Sequence, residues 1–233
     1  MKTIGILGGS TDLSTAEYYR IINARVRKEL GGFHTGEIII NSMDCGVITY
    51  YTHKDMWQEG AAYMHTKTQS LERAGDDFII SVSNTWHRMC DVYMQDITIP
   101  LLHIADPTAD AVKKNGLDTV ALLGTKATMS STYLVDYFSA HHGLTIIVPT
   151  EDQQDYVSKI VVNELAHGIF SEQSRNGYLT IIDELVTQHG AQGVILGCTE
   201  IPLLVSKDNR PDVPMFDTLT LHAEAAAMKA LYD

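Results

Sequence analysis

Two short stretches of this chain carry side chains able to move protons. Residues 80–87, ISVSNTWH, run from apolar residues into Ser83, Asn84 and Thr85, and residues 193–201, GVILGCTEI, have the same build with Cys198 and Thr199 at the matching place. An unperturbed thiol has a pKa of about 8.5. At the end of a buried strand and near a helix start, Cys198 is placed where that value can fall and the thiolate can form; a buried small apolar residue is the competing reading. A serine hydroxyl is far less acidic, so Ser83 makes no comparable resting base. Asn84, Thr85 and Thr199 offer hydrogen bonds to a ligand carboxylate. A third stretch, Gly8-Gly9-Ser10-Thr11, follows an apolar run and precedes a helical pattern whose N-cap is read as Ser14; Gly124-Thr125-Lys126 is its counterpart further on. A helix start presents unpaired N–H groups and the positive end of the dipole, which suits a carboxylate or phosphate. Glycines required only for the turn are an equal reading of both segments.

Other chemistries lack their residues. Neither GxGxxG nor GxxxxGK[ST] is present, so no nucleotide cofactor is expected. Ser83 and His87 do not form GxSxG and have no convincing acidic partner. HExxH is absent, His141-His142 reads as a solvated turn, and no His/Asp/Glu set has ligand spacing, so no metal is expected. Cys45, Cys90 and Cys198 are widely spaced, odd in number and without CxxC, which argues against a disulfide framework or a zinc ribbon. Tyr50, Tyr51 and Trp57 either line a site or pack. The formal charge of −12 disfavours nucleic acid and anionic membrane as partners. A small anionic ligand would have to be held by local donors. Apolar residues at 45% and charged residues at 20% describe a globular chain. No apolar run reaches the roughly 20 residues of a membrane span, and Thr3–Leu7 is too short for a signal-peptide core. A cytoplasmic protein is expected.

The elements that must position these residues alternate in type. Short apolar runs at Thr3–Leu7, Glu37–Ser42, Phe78–Val82, Leu101–Ile104, Thr119–Leu123, Thr145–Val148, Gly193–Leu196 and Val213–Phe216 read as strands. Helical periodicity covers Ser14–Leu30, Gln58–Ala74, Ser131–Ala140, Tyr156–His167, Ser174–Gln188 and Thr218–Tyr232. Continuous Val/Ile/Leu strands separated by helices indicate parallel sheet covered on both faces, hence the α/β class. TIGILGGST at 3–11 aligns with TVALLGTKA at 119–127, an offset of 116, and FIISVSNTW at 78–86 with GVILGCTEI at 193–201, an offset of 115. The chain is therefore read as an internal duplication. An N-terminal α/β domain comprises residues 1–115 plus 211–233, a C-terminal one residues 116–210, and the last helix, without a counterpart in the second half, returns to the first. Ligands in open α/β sheets sit beyond the carboxyl ends of the strands, so two facing halves would bring Ser83 and Cys198 to opposite walls of one cleft.

On these residues the chain resembles the aspartate/glutamate racemases, the cofactor-independent amino-acid racemases. TIGILGG with STAEYYRIIN, SNTWH, HIAD at 103–106, LLGTKATM at 122–129, NELAHG at 163–168, GCTEI at 197–201 and VPMFDTLTLHAEAA at 213–226 are similar to that family's motifs nearly end to end. The resemblance implies two pseudo-symmetric α/β domains, a homodimer, no cofactor, and an amino-acid substrate held between two cysteines on opposite faces of its α-carbon. It makes Cys198 one acid/base and places Ser83 where the other belongs. It gives Asn84, Thr85 and Thr199 to the α-carboxylate with Ser10 and Thr125 nearby, and adds Thr52 and His167 to the substrate-binding set. Ser10 stands where the family usually has methionine, and His167 where some aspartate racemases have lysine, next to the distal carboxylate. A hydroxyl at position 83 implies a bias toward L-substrate, deprotonated by Cys198. Ser83 is equally readable as a substitution made to trap a ligand. Two other functions fit one thiol: a superfamily decarboxylase of the arylmalonate type, and a protein that holds a dicarboxylate without turnover.

Overall fold

The computed structural model describes all residues, 1–233. The chain forms two compact units: residues 1–104 with 222–233, and residues 105–221. The first unit contains β1 (Ile4–Gly8), α1 (Asp12–Leu30), β2 (Ile38–Ser42), α2 (Cys45–His53), α3 (Trp57–Ala74), β3 (Phe78–Ser81), a 3-10 turn at Thr85–Met89 and α4 (Cys90–Tyr93). The second contains α5 (Ala105–Lys114), β4 (Thr119–Leu123), α6 (Lys126–Met129), α7 (Thr132–His142), β5 (Thr145–Ile147), α8 (Glu151–Asn163), a 3-10 turn at Leu165–His167, α9 (Glu172–Thr187), β6 (Val194–Leu196), α10 (Ile201–Leu204) and β7 (Met215–Asp217). The last helix, α11 (Thr218–Tyr232), starts in the second unit, and from His222 onward belongs to the first.

Both sheets are parallel, with strand orders β2-β1-β3 and β5-β4-β6-β7. Strands β1, β3 and β6 are buried at every residue, as their continuous apolar runs require. Each fully buried Ile or Leu in such a strand contributes about 1.5–3 kcal/mol relative to exposure. The apolar sides pack on helices in separate clusters, for example Leu7, Met64, Leu71, Ile79 and Trp86 in the first unit and Leu123, Tyr178, Ile182 and Leu196 in the second.

The α/β class and the duplication read from the sequence both hold, and backbone hydrogen bonds carry the register. Val82 N donates to Leu7 O at 3.2 Å, and Gly197 N to Leu123 O at 2.7 Å, reproducing the offsets of 115 and 116. Ile79 N donates to Pro100 O at 2.9 Å, and Val194 N to Pro214 O at 2.8 Å. The segment after Pro100 is thus the first-half equivalent of β7. The strand expected at Leu101–Ile104 shrinks, however, to a single bridge between Ile79 and Leu101. The same alignment corrects the view that the last helix has no counterpart: α5 follows Pro100 as α11 follows Pro214. The units divide at 104/105 and 221/222 rather than at 115/116 and 210/211. The cause is α5, whose Ala105, Ala109 and Val112 pack with Val120, Leu122, Phe138 and Phe216.

Local signals also differ from the reading in three places. The N-cap of α1 is Thr11, whose hydroxyl accepts from Ser14 N at 3.1 Å; Ser14 lies inside the first turn. The stretch 45–53, rich in β-branched and aromatic residues, is helical because Asp44 caps it, accepting from Gly46 N at 2.8 Å. His141 and His142 end α7 instead of forming a solvated turn, and His142 Nε2 lies 2.9 Å from Asp106 Oδ1.

Candidate active site

In a sheet of order 2-1-3 the chain reverses direction of winding between the first and third strands, and ligands sit at the carboxyl ends of those two. In the first unit that rule selects the turn after β1, with Gly9, Ser10 and Thr11, and the turn after β3, with Ser83, Asn84 and Thr85. In the second it selects Gly124 and Thr125 after β4, and Cys198 and Thr199 after β6. Ser83 and Cys198 each stand two residues beyond their strands. Seven of the nine residues picked from the sequence therefore fall at these strand ends. The other two do not. Thr52 lies in the last turn of α2, where its hydroxyl donates to Ile48 O at 3.0 Å, and His167 is exposed on the 3-10 turn Leu165–His167.

The turn after β1 consumes much of its own polarity. Gly9 has φ +87°, and a Cβ there would sit 2.1 Å from Met43 O, so this close approach needs glycine. Gly9 N donates to Thr15 Oγ1 at 2.8 Å and Ser14 N is taken by Thr11, which removes two of the N–H groups that an anion would use. Ser10 Oγ, by contrast, is shielded and has no hydrogen-bond partner. Cys45, at the start of α2, donates its thiol to Ser10 O at 3.0 Å. In the turn after β3, Ser83 Oγ accepts from Trp86 N at 3.4 Å and Ser83 O lies 2.6 Å from His87 Nδ1. Trp86 is buried against Trp57, ring centroids 5.1 Å apart, in space left by Gly60. Trp57 is thus a packing residue, further covered by the Arg88 guanidinium 4.0 Å above its ring.

In the second unit the two strand ends nearly touch. A Cβ on Gly124 would lie 3.2 Å from Gly197 O, and one on Gly197 3.1 Å from Leu123 O. Thr125 and Thr128 hydroxyls are 3.1 Å apart, and Lys126 is neutralised by Asp155 at 2.5 Å. Cys198 Sγ donates to Glu200 Oε2 at 2.9 Å.

A duplicated parallel α/β fold of this kind is shared with known proteins. The family model for Asp/Glu/Hydantoin racemase matches residues 4–226. The chain belongs to the Asp/Glu/Hydantoin racemase family. It is similar in structure to a candidate Asp/Glu racemase from Yersinia pestis, with 41% identity, a TM-score of 0.93, and coverage of 99% of this chain and 100% of that one. An aspartate racemase homologue from Pyrococcus horikoshii matches at 29% identity and TM-score 0.86, again over 99% and 100%. The aspartate racemase of Picrophilus torridus shares the fold at 21% identity and TM-score 0.75, over 99% and 94%. The reading of the chain as an isomerase of racemase type stands with these matches.

At Cys198 the expectation from sequence is reversed. The thiol pKa is not lowered but raised well above its ordinary value. Burial is the largest cause, followed by the charge of Glu200 and the hydrogen bond to it; the backbone N–H groups of Thr199 and Glu200 oppose this more weakly. A carboxylate 2.9 Å away stabilises S–H and repels S⁻. Glu200 was visible in the GCTE motif, but nothing in sequence says that its side chain turns back onto the residue two places before it. No helix is long and apolar enough to cross a membrane.

Proposed function

We propose that this racemase interconverts the enantiomers of an acidic amino acid, aspartate or glutamate, by cofactor-free proton transfer at the α-carbon, entering from the L form through Cys198. The observation that carries this reading is the Cys198–Glu200 hydrogen bond at the end of β6. A thiol already bonded to a carboxylate can pass its proton along that bond without changing the net charge of the pair. The thiolate then takes the α-proton: the Cα–H bond breaks, S–H forms, and the electron pair moves into the substrate carboxylate as an enediolate. Such charge needs donors aimed at the carboxylate. Asn84, Thr85, Thr199 and Thr125 supply side-chain donors, and Ser10 has a shielded hydroxyl without a protein partner. Thr52 and His167 are assigned to the distal carboxylate, Thr52 less directly because its hydroxyl already serves Ile48.

The second half of the reaction returns a proton to the opposite face, from Ser83 or from a water. Ser83 Oγ accepts from Trp86 N, so its O–H hydrogen is the part left for a ligand. Giving it up creates an alkoxide supported by that one N–H, which must regain a proton before the next turnover. Return from this side is slow, and the reaction is biased toward L-substrate.

Incubation with L-aspartate or L-glutamate in deuterated water, with α-deuteration and chirality followed separately, tests the reading. Deuterium entering the L form faster than D-product appears is expected. Binding of both amino acids with no α-deuteration of either would remove it.

A further inference from the structure

We infer that His87, His222 and Tyr18 are positioning residues that hold the Ser83 turn through its main-chain carbonyl, with the two imidazoles neutral and in opposite tautomers. The inference rests on the proposed role of Ser83. All three side chains have no solvent exposure. His87 Nδ1 lies 2.6 Å from Ser83 O, an atom that can only accept, so Nδ1 carries the proton. His87 Nε2 receives Ile104 N–H at 3.3 Å, so that nitrogen carries the lone pair. For His222 the assignment is inverted: Nε2, 2.9 Å from Leu102 O, must donate, and Nδ1 accepts from Tyr18 OH at 2.8 Å. Both nitrogens of both rings are thereby assigned.

A second proton on His87 would point N–H at N–H against Ile104. The rings are also close, 6.0 Å between centroids, with His103 a further 4.5 Å from His87. Burial, and then the neighbouring His87, push His222 down to about 3. Neutral rings of defined tautomer tie together four separate segments: α1 through Tyr18, the Ser83 turn, the edge at Leu102–Ile104, and α11 through His222. The second unit has nothing comparable. Position 202, equivalent to His87 at the offset of 115, is proline, and Cys198 O is satisfied by Ile201 N at 3.2 Å. The device therefore serves the hydroxyl side alone, where a weak proton donor depends most on its placement.

Nitrogen-15 histidine spectra of the whole protein at neutral pH, assigned with His87→Gln and His222→Gln, are expected to show one ring protonated at Nδ1 and the other at Nε2. A charged ring, or two rings of one tautomer, overturns the inference. The functional arm compares His87→Asn, which keeps a donor where Nδ1 stood, with His87→Leu, and uses Tyr18→Phe as the mildest break. His87→Leu should lower D-product formation about tenfold more than it lowers α-deuteration of L-substrate, since an ångström of misplacement is worth up to roughly a hundredfold. His87→Asn should recover most of that difference. An equal fall in both rates, or identical behaviour of Asn and Leu, means a merely structural role. Alkylation of the thiol in Ser83→Cys, read at its own peptide, repeats the Asn-against-Leu comparison without turnover. If the wild type exchanges no α-proton, the racemase reading fails while the spectra and the alkylation rates still decide this one.

Discussion

The turns after β3 and β6 have one backbone and two chemistries. Both leave a parallel strand, both place their candidate side chain, Ser83 or Cys198, two residues on, and both donate a main-chain hydrogen bond to the neighbouring strand at equivalent positions. Around Cys198 the polar partner is a carboxylate that faces the sulfur itself. Around Ser83 the polar partner is an imidazole that faces the carbonyl and leaves the hydroxyl to Trp86 N. One turn sets a charge against its side-chain sulfur, and the other ties down its main chain. A duplicated fold thus keeps backbone geometry common and gives each copy its own polar partner.

Breaking the thiol side should have the largest effect. Cys198→Ala removes the group assigned to the L-face, and α-deuteration of L-aspartate or L-glutamate should fall about 10⁴-fold, the upper range for loss of a positioned acid/base. Retention of exchange would move the base elsewhere. Making the two turns alike comes next. Ser83→Cys should raise the rate of D-product formation from L-substrate about 10³-fold and make the reaction run at comparable rates from either enantiomer. A chirality time course from each pure enantiomer reads both quantities.

Neutralising the carboxylate sharpens the contrast further. Glu200→Gln takes away the charge that helps hold the Cys198 thiol up, so its pKa should fall, and alkylation by iodoacetamide near neutral pH should speed up. Exchange should slow about 10²-fold, because the proton on sulfur has lost its acceptor. Faster alkylation with slower catalysis separates proton transfer to Glu200 from simple loss of a thiolate; a change of both in the same direction contradicts it.

How much of this was legible depended on whether the signal was local. Strands β1 and β4, and the glycine and polar residues after them, were readable because burial on both faces demands continuous apolar runs and the duplication printed each run twice. Helix α2 was not, since CGVITYYTH has the composition of a strand and only the Asp44 cap and packing of Ile48 make it helical. Seven of nine candidate residues sat at strand ends because their motifs were contiguous. Glu200 and the His87–His222–Tyr18 chain escaped because their roles lie in where side chains turn, and in partners as much as 204 positions away. The acidity of Cys198 was misjudged for the same reason: strand-end position is sequence-local, whereas desolvation and a folded-back carboxylate are not.

The smallest effect on turnover is expected at the other end of the first sheet, and it tests the duplication from its far side. Asp76 is buried, neither carboxylate oxygen has a partner, and a Cβ on Gly5 would lie 2.4 Å from Oδ2. At the offsets of 116 and 115 the second unit has Ala121 and Ala191 instead of Gly5 and Asp76, so volume lost on one strand is regained beside the next. Burial first, and the charge of Asp77 second, raise Asp76 from 3.8 to about 7. A carboxyl that is easier to protonate when folded favours the native state most below the unfolded pKa, and this favour is lost as pH rises toward 7. Above that the ionised group costs on the order of 4 kcal/mol, from about three units at roughly 1.4 kcal/mol each. Asp76→Asn should therefore gain on the wild type in urea denaturation steadily between pH 4 and 7 and hold that lead above, with exchange activity unchanged. Gly5→Ala alone should destabilise by about 1–3 kcal/mol through crowding, and Gly5→Ala with Asp76→Ala, which copies the second unit, should recover that loss. A stability difference between wild type and Asp76→Asn that does not vary with pH would mean that the carboxyl is solvated after all, and that the two sheet ends are not interchangeable in this way.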